Sequence, residues 1–125
     1  MTNSIPSLKG DNANLRRGLS ILIACYNAAD LINETLLRLL EMEKIPDFPW
    51  EVLVVDNNST DNTLEIVRSL ESKFLQLKIE NEPNQGVAFA VLRGIKAASY
   101  EYIGIVDQDN WVHQDWMIKA VNYLD

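Results

Sequence analysis

The stretch that decides the fold is "WEVLVVDNNSTDN", residues 50–62. Its first seven residues are mostly apolar, which is typical of a strand covered on both faces of a parallel sheet. The polar residues that follow, from Asp56 to Asn62, favour turns and helix starts. A buried strand that runs into a polar cluster and then a helix indicates an α/β arrangement.

Strand-like and helical patterns alternate along the rest of the chain. Apolar runs at residues 19–25 and 102–107 predict two more buried strands, and alternation at residues 75–81 predicts a more peripheral strand with Leu75 on its apolar side. Asp30 is a candidate N-cap for the first helix, and residues 59–61 offer capping oxygens to the second. Apolar residues recur at helical spacing in four segments, 32–40, 66–74, 87–98 and 116–124.

This alternation predicts an α/β fold. Strand–helix–strand repeats form parallel sheets with helices on both faces, so we expect a Rossmann-like three-layer sandwich around a mostly parallel sheet of about four strands. A chain of 125 residues fits one domain. Its composition, 47% hydrophobic and 23% charged, is typical of a globular protein with a packed core.

Charge and cysteine content narrow the function. A net charge of −7 argues against broad electrostatic capture of nucleic acid, which needs clustered Lys and Arg, so no nucleic-acid partner is expected. The single cysteine, Cys25, lies in an apolar run and is interpreted as a small buried side chain rather than a reactive thiol. The lack of an internal disulfide favours a cytoplasmic location.

Residues 1–17 are predicted to be a flexible polar leader, without the apolar middle of a signal peptide.

Polar clusters follow three of the four predicted strands: "CYNAAD", "DNNSTDN" and "DQDN". Ligands of parallel sheets bind beyond the carboxyl ends of the strands, at a switch in strand order. Three polar clusters at that edge therefore predict a ligand site there.

Asp107 and Asp109 are the candidate metal ligands. In an extended backbone both side chains leave the same face, about 7 Å apart at their Cα atoms. Hard oxygen ligands of this kind suit Mg²⁺ or Mn²⁺, which also bind phosphate oxygens. The alternative is that one aspartate caps a turn while the other is solvated.

The other candidate positions each carry a structural alternative. Asp56 either accepts hydrogen bonds from a nucleobase or ribose or organises its turn, which is also the simpler role for Asn58. Tyr26 either lies against a planar base or caps the sheet edge. Glu34 is either a ligand contact or a surface residue. Gly86 permits close backbone approach at a helix start.

Four segments taken together resemble the family 2 glycosyltransferases of GT-A fold, over the span from about residue 19 to the end. They are "SILIACYNAADLINETLLRLL", "WEVLVVDNNSTDNT", "NEPNQGVAFAVLRGIKAA" and "EYIGIVDQDNWV". The resemblance implies a nucleotide-sugar site, with Tyr26 at the base pocket, Asp56 on the base or ribose and Asp109 as the direct ligand of Mn²⁺ or Mg²⁺. The implied donor-binding residues are Ala24, Tyr26, Asn27, Glu34, Asp56, Asn58, Gly86 and Asp107, and the implied metal ligands are Asp109 and Asp107.

The activity implied by the resemblance is metal-dependent transfer of a sugar from a UDP- or GDP-linked donor to a hydroxyl of a glycan, lipid or protein acceptor, as in polysaccharide biosynthesis. One motif departs from the family pattern: residues 90–92 are "AVL" where the family usually has Ala-Arg-Asn. The family's acceptor-binding half and catalytic base are expected beyond Asp125. Residues 18–125 are therefore interpreted as the donor-binding half of a truncated GT-A domain, inactive by itself.

Further expectations concern partners and rival functions. The last helix, with Trp116, Met117 and Leu124, is expected to lack cover and to support self-association, and a membrane-peripheral position through a partner is compatible with the family.

One alternative function is a non-catalytic nucleotide-binding or protein-interaction remnant of the same fold. Another is a haloacid-dehalogenase-like phosphatase, which "IGIVDQDN" resembles, although that motif belongs on a first strand.

Overall fold

The computed structural model describes residues 15–124 of the chain. These residues form four strands and four helices in strict alternation. The strands are β1 (Arg16–Cys25), β2 (Trp50–Asp56), β3 (Leu77–Asn81) and β4 (Tyr100–Ile105), and the helices are α1 (Ile32–Glu41), α2 (Thr63–Glu71), α3 (Val87–Ala97) and α4 (Trp116–Leu124).

The four strands form one parallel sheet in the order β3-β2-β1-β4. The chain moves outward from β1 through β2 to β3 and then returns to place β4 on the other side of β1. The register sets Cys25 level with Asp56, and Asp56 level with Asn81, so the carboxyl ends of β1, β2 and β3 are aligned. The switch in strand order lies between β1 and β4, where a parallel sheet opens a crevice for ligands.

Alternate residues of β1 face the two sides of the sheet. Ile21, Ile23 and their neighbours on one side belong to the main core, together with buried residues of α1, α2 and α4. Leu22 on the other side packs with Leu53, Ile103 and α3. Helix α3 approaches closely at Gly94, where an added Cβ would lie 3.1 Å from the Leu22 methyl groups. The predicted three-layer α/β sandwich is confirmed, with three helices on one face and α3 on the other.

Some predicted boundaries are wrong. Residues 1–14 of the predicted leader lie outside the described range, but Arg16 and Arg17 already belong to β1. Leu75 is 93% exposed because Phe74 accepts a turn hydrogen bond from Leu77, so β3 begins only after this turn. Asp30 does not cap α1, because Leu31 occupies the N-cap and no side chain bonds there.

Helix α4 is better covered than expected. Met117 is fully buried in the main core, whereas Tyr123 is 83% exposed. A shallow apolar groove of about 280 Å³ runs along the outer side of this helix and includes Trp116 and Leu124. Within residues 15–124, no helix has the length and apolar character needed to cross a membrane.

Candidate functional site

A cleft of about 460 Å³ opens at the carboxyl edge of the sheet, where β1, β2 and β4 end. We call it the strand-end cleft. It lies at the switch in strand order, as the sequence predicts. The cleft is lined by Ala24, Cys25, Tyr26, Asn57, Gln85, Gly86, Val87, Asp107, Gln108 and Asp109.

The segment that carries the acidic pair is a turn. The backbone N–H of Asn110 donates to the carbonyl of Asp107 at 3.0 Å, so residues 107–110 are not extended. The expectation of two carboxylates on one face of an extended strand is therefore wrong, because the strand ends at Ile105 and the chain then bends back. The turn nevertheless leaves both Asp107 and Asp109 exposed in the cleft.

Asn57, which the sequence analysis did not select, joins the end of β2 to the loop before α3. Its Nδ2 donates to the carbonyls of Glu82 (3.0 Å) and Asn84 (2.8 Å), and its Oδ1 accepts from the N–H of Gly86 (2.9 Å). The side chain is buried, and both its Nδ2 hydrogens and its Oδ1 take part in these bonds. Asn57 therefore fixes one wall of the cleft, and Gly86 is needed there because its φ of 137° is rarely adopted by residues with a side chain.

The same loop is anchored by a buried carboxylate, Glu82. One of its oxygens accepts from the Asn84 N–H at 3.0 Å, and the other pairs with the Arg93 guanidinium at 3.0 Å. The hydrogen bond from Asn84, followed by the interaction with Arg93, holds the pKa of Glu82 below its usual range despite burial. Arg93 is thus directed toward this loop and lines a separate cavity beside β3 rather than the strand-end cleft.

Asn27, which the resemblance places in the base pocket, forms hydrogen bonds with the loop after β2. Its Oδ1 accepts from the N–H groups of Thr60 (2.8 Å) and Asp61 (3.3 Å), and its own N–H donates to the Ser59 hydroxyl at 3.0 Å. It adopts a φ of 48°, which Asn tolerates better than most residues. Asn27 therefore ties the loop after β1 to the loop after β2 and does not line the cleft.

Asp56 lies directly beneath the cleft, since its strand partner Cys25 and its chain neighbour Asn57 both line it. The Asp56 side chain is 4% exposed, and its Oδ1 has no hydrogen-bond partner among the described residues. A buried carboxylate oxygen without a partner is costly, and native proteins keep one mainly where a ligand or water completes it.

Cys25 is buried beside this carboxylate. Burial, and then the charge of Asp56, raise the pKa of the Cys25 thiol to about 12. The thiol therefore stays protonated at neutral pH, which agrees with the interpretation of Cys25 as a small buried side chain.

The structure brings together most of the predicted donor-site residues. Ala24, Tyr26, Gly86, Asp107 and Asp109 line the cleft, and Asp56 lies beneath it.

Besides Asn27, two predicted residues lie elsewhere. Glu34 pairs with Arg38, one helical turn along α1, at 2.8 Å and faces another cavity with Trp111. Asn58 is exposed in the loop after β2 with a φ of 65° and does not line the cleft. Their positions give no support to a ligand-binding role.

The "AVL" departure has a clear structural consequence. Val91 is half-buried and packs against the smaller core beneath α3, and Leu92 is 52% exposed on the outer side of the helix. No side chain of the described residues lining the cleft is Lys or Arg. Among the described residues, the cleft thus presents two exposed carboxylates and no cationic side chain to balance an anionic ligand.

Sequence reasoning missed Gln85, Val87 and Gln108, which also line the cleft. Gln108 stands between the two aspartates, so its position in the motif was the available signal. Gln85, which donates to the Asn57 carbonyl, adjoins the selected Gly86.

The sheet order and the strand-end cleft define an α/β domain of the kind found in GT-A glycosyltransferases. The family model of Glycosyl transferase family 2 matches residues 20–125, and the chain belongs to this family. The poly-β-1,6-N-acetyl-D-glucosamine synthase of Staphylococcus aureus strain MSSA476 is 33% identical over 104 residues, which cover 83% of this chain and 24% of the synthase.

Solved structures agree with this assignment. The structure of S. aureus TarS 1–349 in complex with UDP-GlcNAc is 30% identical in sequence to this chain, with a TM-score of 0.69. The match covers 86% of this chain and 31% of the TarS chain. The mannosyltransferase PcManGT from Pyrobaculum calidifontis, in complex with GDP-Man and Mn²⁺, is 31% identical in sequence to this chain, with a TM-score of 0.76. The match covers 89% of this chain and 33% of the PcManGT chain. The chain therefore spans about a quarter of the curated synthase and a third of these structures. Membership of this family also argues against the phosphatase interpretation.

Proposed function

We propose that this chain supplies the donor-binding part of a metal-dependent glycosyltransferase, which moves a sugar from a nucleoside-diphosphate sugar to an acceptor hydroxyl. The observation that carries the proposal is the cleft with the exposed carboxylates of Asp107 and Asp109, next to the buried Asp56, whose Oδ1 has no hydrogen-bond partner among the described residues. Relatives of similar fold in complex with UDP-GlcNAc and with GDP-Man support a nucleotide-sugar ligand.

A divalent cation is part of this proposal. Within residues 15–124, no cluster of three or more His, Cys, Asp or Glu could hold a metal ion. Mg²⁺ and Mn²⁺ are nevertheless commonly held by one or two carboxylates together with substrate phosphates and water, and Asp107 and Asp109 fit that donor set. The PcManGT complex contains Mn²⁺. When bound, such a cation supplies charge stabilisation for a departing diphosphate.

The chain's own residues have separate roles in the proposed site. Asp56 accepts a hydrogen bond from a donor group of the base or ribose through its free Oδ1. Tyr26, 44% exposed at the cleft, offers a ring for the base to lie against. Gly86, without a side chain, leaves the loop before α3 open to the ligand. Deprotonation of the acceptor hydroxyl by a carboxylate belongs to the part of the family's domain proposed to lie beyond Asp125.

Binding of nucleotides to the chain tests the proposal. UDP, GDP, UDP-GlcNAc and GDP-Man are titrated with and without Mn²⁺ while thermal unfolding is followed. A ligand at a hundredfold excess over its dissociation constant stabilises the chain by about 2.7 kcal/mol. The Asp109→Asn variant should lose the Mn²⁺-dependent part of this shift, whereas Asp115→Asn, which changes an exposed ion pair with Lys119, should keep it. Absence of any shift in the unmodified chain would refute the donor site.

A second candidate, binding without transfer, is favoured by the "AVL" segment. The hydrophobic side chains of Val91 and Leu92 replace polar ones that serve the donor in the family pattern, and Arg93 is engaged by Glu82. Nucleotide binding that is unaffected by Mn²⁺ would support this candidate over the transferase.

A further inference from the structure

The side chain of Gln108 forms a two-point contact with the backbone of Tyr26. Its Oε1 accepts from the Tyr26 N–H at 2.9 Å, and its Nε2 lies 3.4 Å from the Tyr26 carbonyl oxygen, to which it donates. The regular pairing of β1 with β4 ends at Leu22, whose carbonyl accepts from the N–H of Val106. Beyond this point the side-chain amide of Gln108 takes the place of a backbone peptide group in the pairing. It joins the chain just after β4 to the chain just after β1.

The backbone of Gln108 is held from the opposite side. The hydroxyl of Thr35, which is fully buried on α1, lies 2.7 Å from the Gln108 carbonyl oxygen and 3.1 Å from the Leu31 carbonyl oxygen. A hydroxyl has one proton to donate, and the shorter distance favours Gln108. Gln108 is therefore fixed through both its side chain and its main chain, while the aspartates on either side of it remain exposed.

We propose that Gln108 is a positioning residue that sets the acidic turn and Tyr26 in fixed relation to each other, so that metal binding and base binding use one preformed cleft. The inference rests on the proposed function of the same cleft. An amide is required at this position because it donates and accepts at once. A carboxylate only accepts, an ammonium only donates, and alanine or serine is too short to span the gap.

Three variants separate this role from simple packing. Gln108→Met keeps the length of the side chain but removes both hydrogen bonds. Gln108→Glu keeps an acceptor for the Tyr26 N–H and loses the donor. Gln114→Met is the matched control, since Gln114 is exposed on the same segment and its side chain makes no hydrogen bond within the described part of the chain. Thermal unfolding confirms that each variant is folded.

Two measurements decide the outcome. Hydrogen exchange followed by NMR should show the Tyr26 amide exchanging about tenfold faster in Gln108→Met, with protection kept in Gln108→Glu and in the control. Electron paramagnetic resonance of free Mn²⁺ should show affinity about tenfold lower in Gln108→Met, the range seen when groups that orient metal ligands are removed.

The two proposals fail differently. If Gln108→Met binds Mn²⁺ as tightly as wild type, or if its Tyr26 amide exchanges at the wild-type rate, the inference is overturned but the proposed function is not. A wild-type chain that binds neither Mn²⁺ nor nucleotide would overturn the proposed function together with the metal-positioning role of Gln108.

Discussion

The Oδ1 atom of Asn57 accepts a 2.9 Å hydrogen bond from the backbone N–H of Gly86, 29 positions further along the chain. The bond joins the end of the second strand to the start of α3 across the wall of the cleft. Together with the two bonds from its Nδ2, it ties the end of β2 to the loop that leads into α3.

Replacement of Asn57 should destabilise the fold. Asn57→Ala removes three hydrogen bonds and leaves the carbonyls of Glu82 and Asn84 without this donor. At about 1 kcal/mol for each bond, we expect a loss of about 3 kcal/mol in the free energy of unfolding. Urea denaturation measures it, and Asn33→Ala, at an exposed position of α1, is the control. A loss no larger than that of the control would contradict the role assigned to Asn57.

Replacement of Asp56 should separate stability from binding. Asp56→Asn replaces a buried carboxylate whose Oδ1 has no partner within residues 15–124, so we expect the free energy of unfolding to stay the same or to rise by about 1 kcal/mol. Nucleotide affinity should fall at least tenfold, because the amide presents a donor where a ligand donor is expected. Calorimetric titration with UDP and GDP measures the affinity, and unchanged affinity would remove Asp56 from the site.

The amino end of the sheet contains another buried carboxylate, Glu51, which should make the free energy of unfolding depend on pH in acid. It accepts from the Ser20 hydroxyl (2.7 Å), the Ser99 N–H (2.7 Å) and the Lys78 ammonium (3.0 Å). Burial acts to raise its pKa, but the hydrogen bonds from Ser99, Ser20 and Lys78 outweigh burial and hold the pKa below its ordinary value of 4.5.

A carboxyl whose pKa is depressed by folding stabilises the protein above its unfolded pKa, and this contribution is lost as the pH falls through the folded pKa. The free energy of unfolding should therefore decrease below about pH 4.5. Glu51→Gln should show a weaker decrease and a loss of about 2 kcal/mol at pH 7. Urea titrations at several pH values, with the exposed Glu71→Gln as control, measure both. An acid response identical to wild type would exclude Glu51 as its source.

Self-association through α4 stays a prediction. The groove along α4 includes Trp116 and Tyr123, and the latter is 83% exposed. A second copy of the chain would bury this surface, so we expect the apparent mass to rise with concentration in analytical ultracentrifugation. Tyr123→Lys should prevent the rise, whereas Leu75→Lys, at an equally exposed apolar residue away from the groove, should not. A wild-type monomer at all concentrations would end this prediction.

Long apolar runs predicted the fold well. Residues 50–56 form a strand with the predicted bounds, because a continuous apolar run bounded by turn residues has few alternatives in a buried sheet. Leu75 shows where alternation misleads, since a turn at Phe74 excludes it from the strand. The turn at residues 107–110 was considered only as the alternative, although Asp and Asn, which favour turns, occupy three of its four positions.

The site was predicted less completely, and asparagine explains much of the difference. Asn27 and Asn57 both follow strands, and the sequence does not tell which side chain faces a ligand and which binds backbone groups. In the structure both bind backbone groups. The ion pair of Glu34 was easier to recognise in the sequence, since Arg38 follows at the spacing of a helical ion pair.

The hydrogen bonds around the rim of the cleft also bear on the stage of folding at which the cleft forms. Its bonds join residues far apart in sequence, 82 positions for Tyr26 with Gln108, 33 for Asn27 with Thr60 and 29 for Asn57 with Gly86. Closing such long loops costs chain entropy that only completed strand pairing offsets. We therefore expect the cleft to form late in folding, only after β1, β2 and β4 have paired.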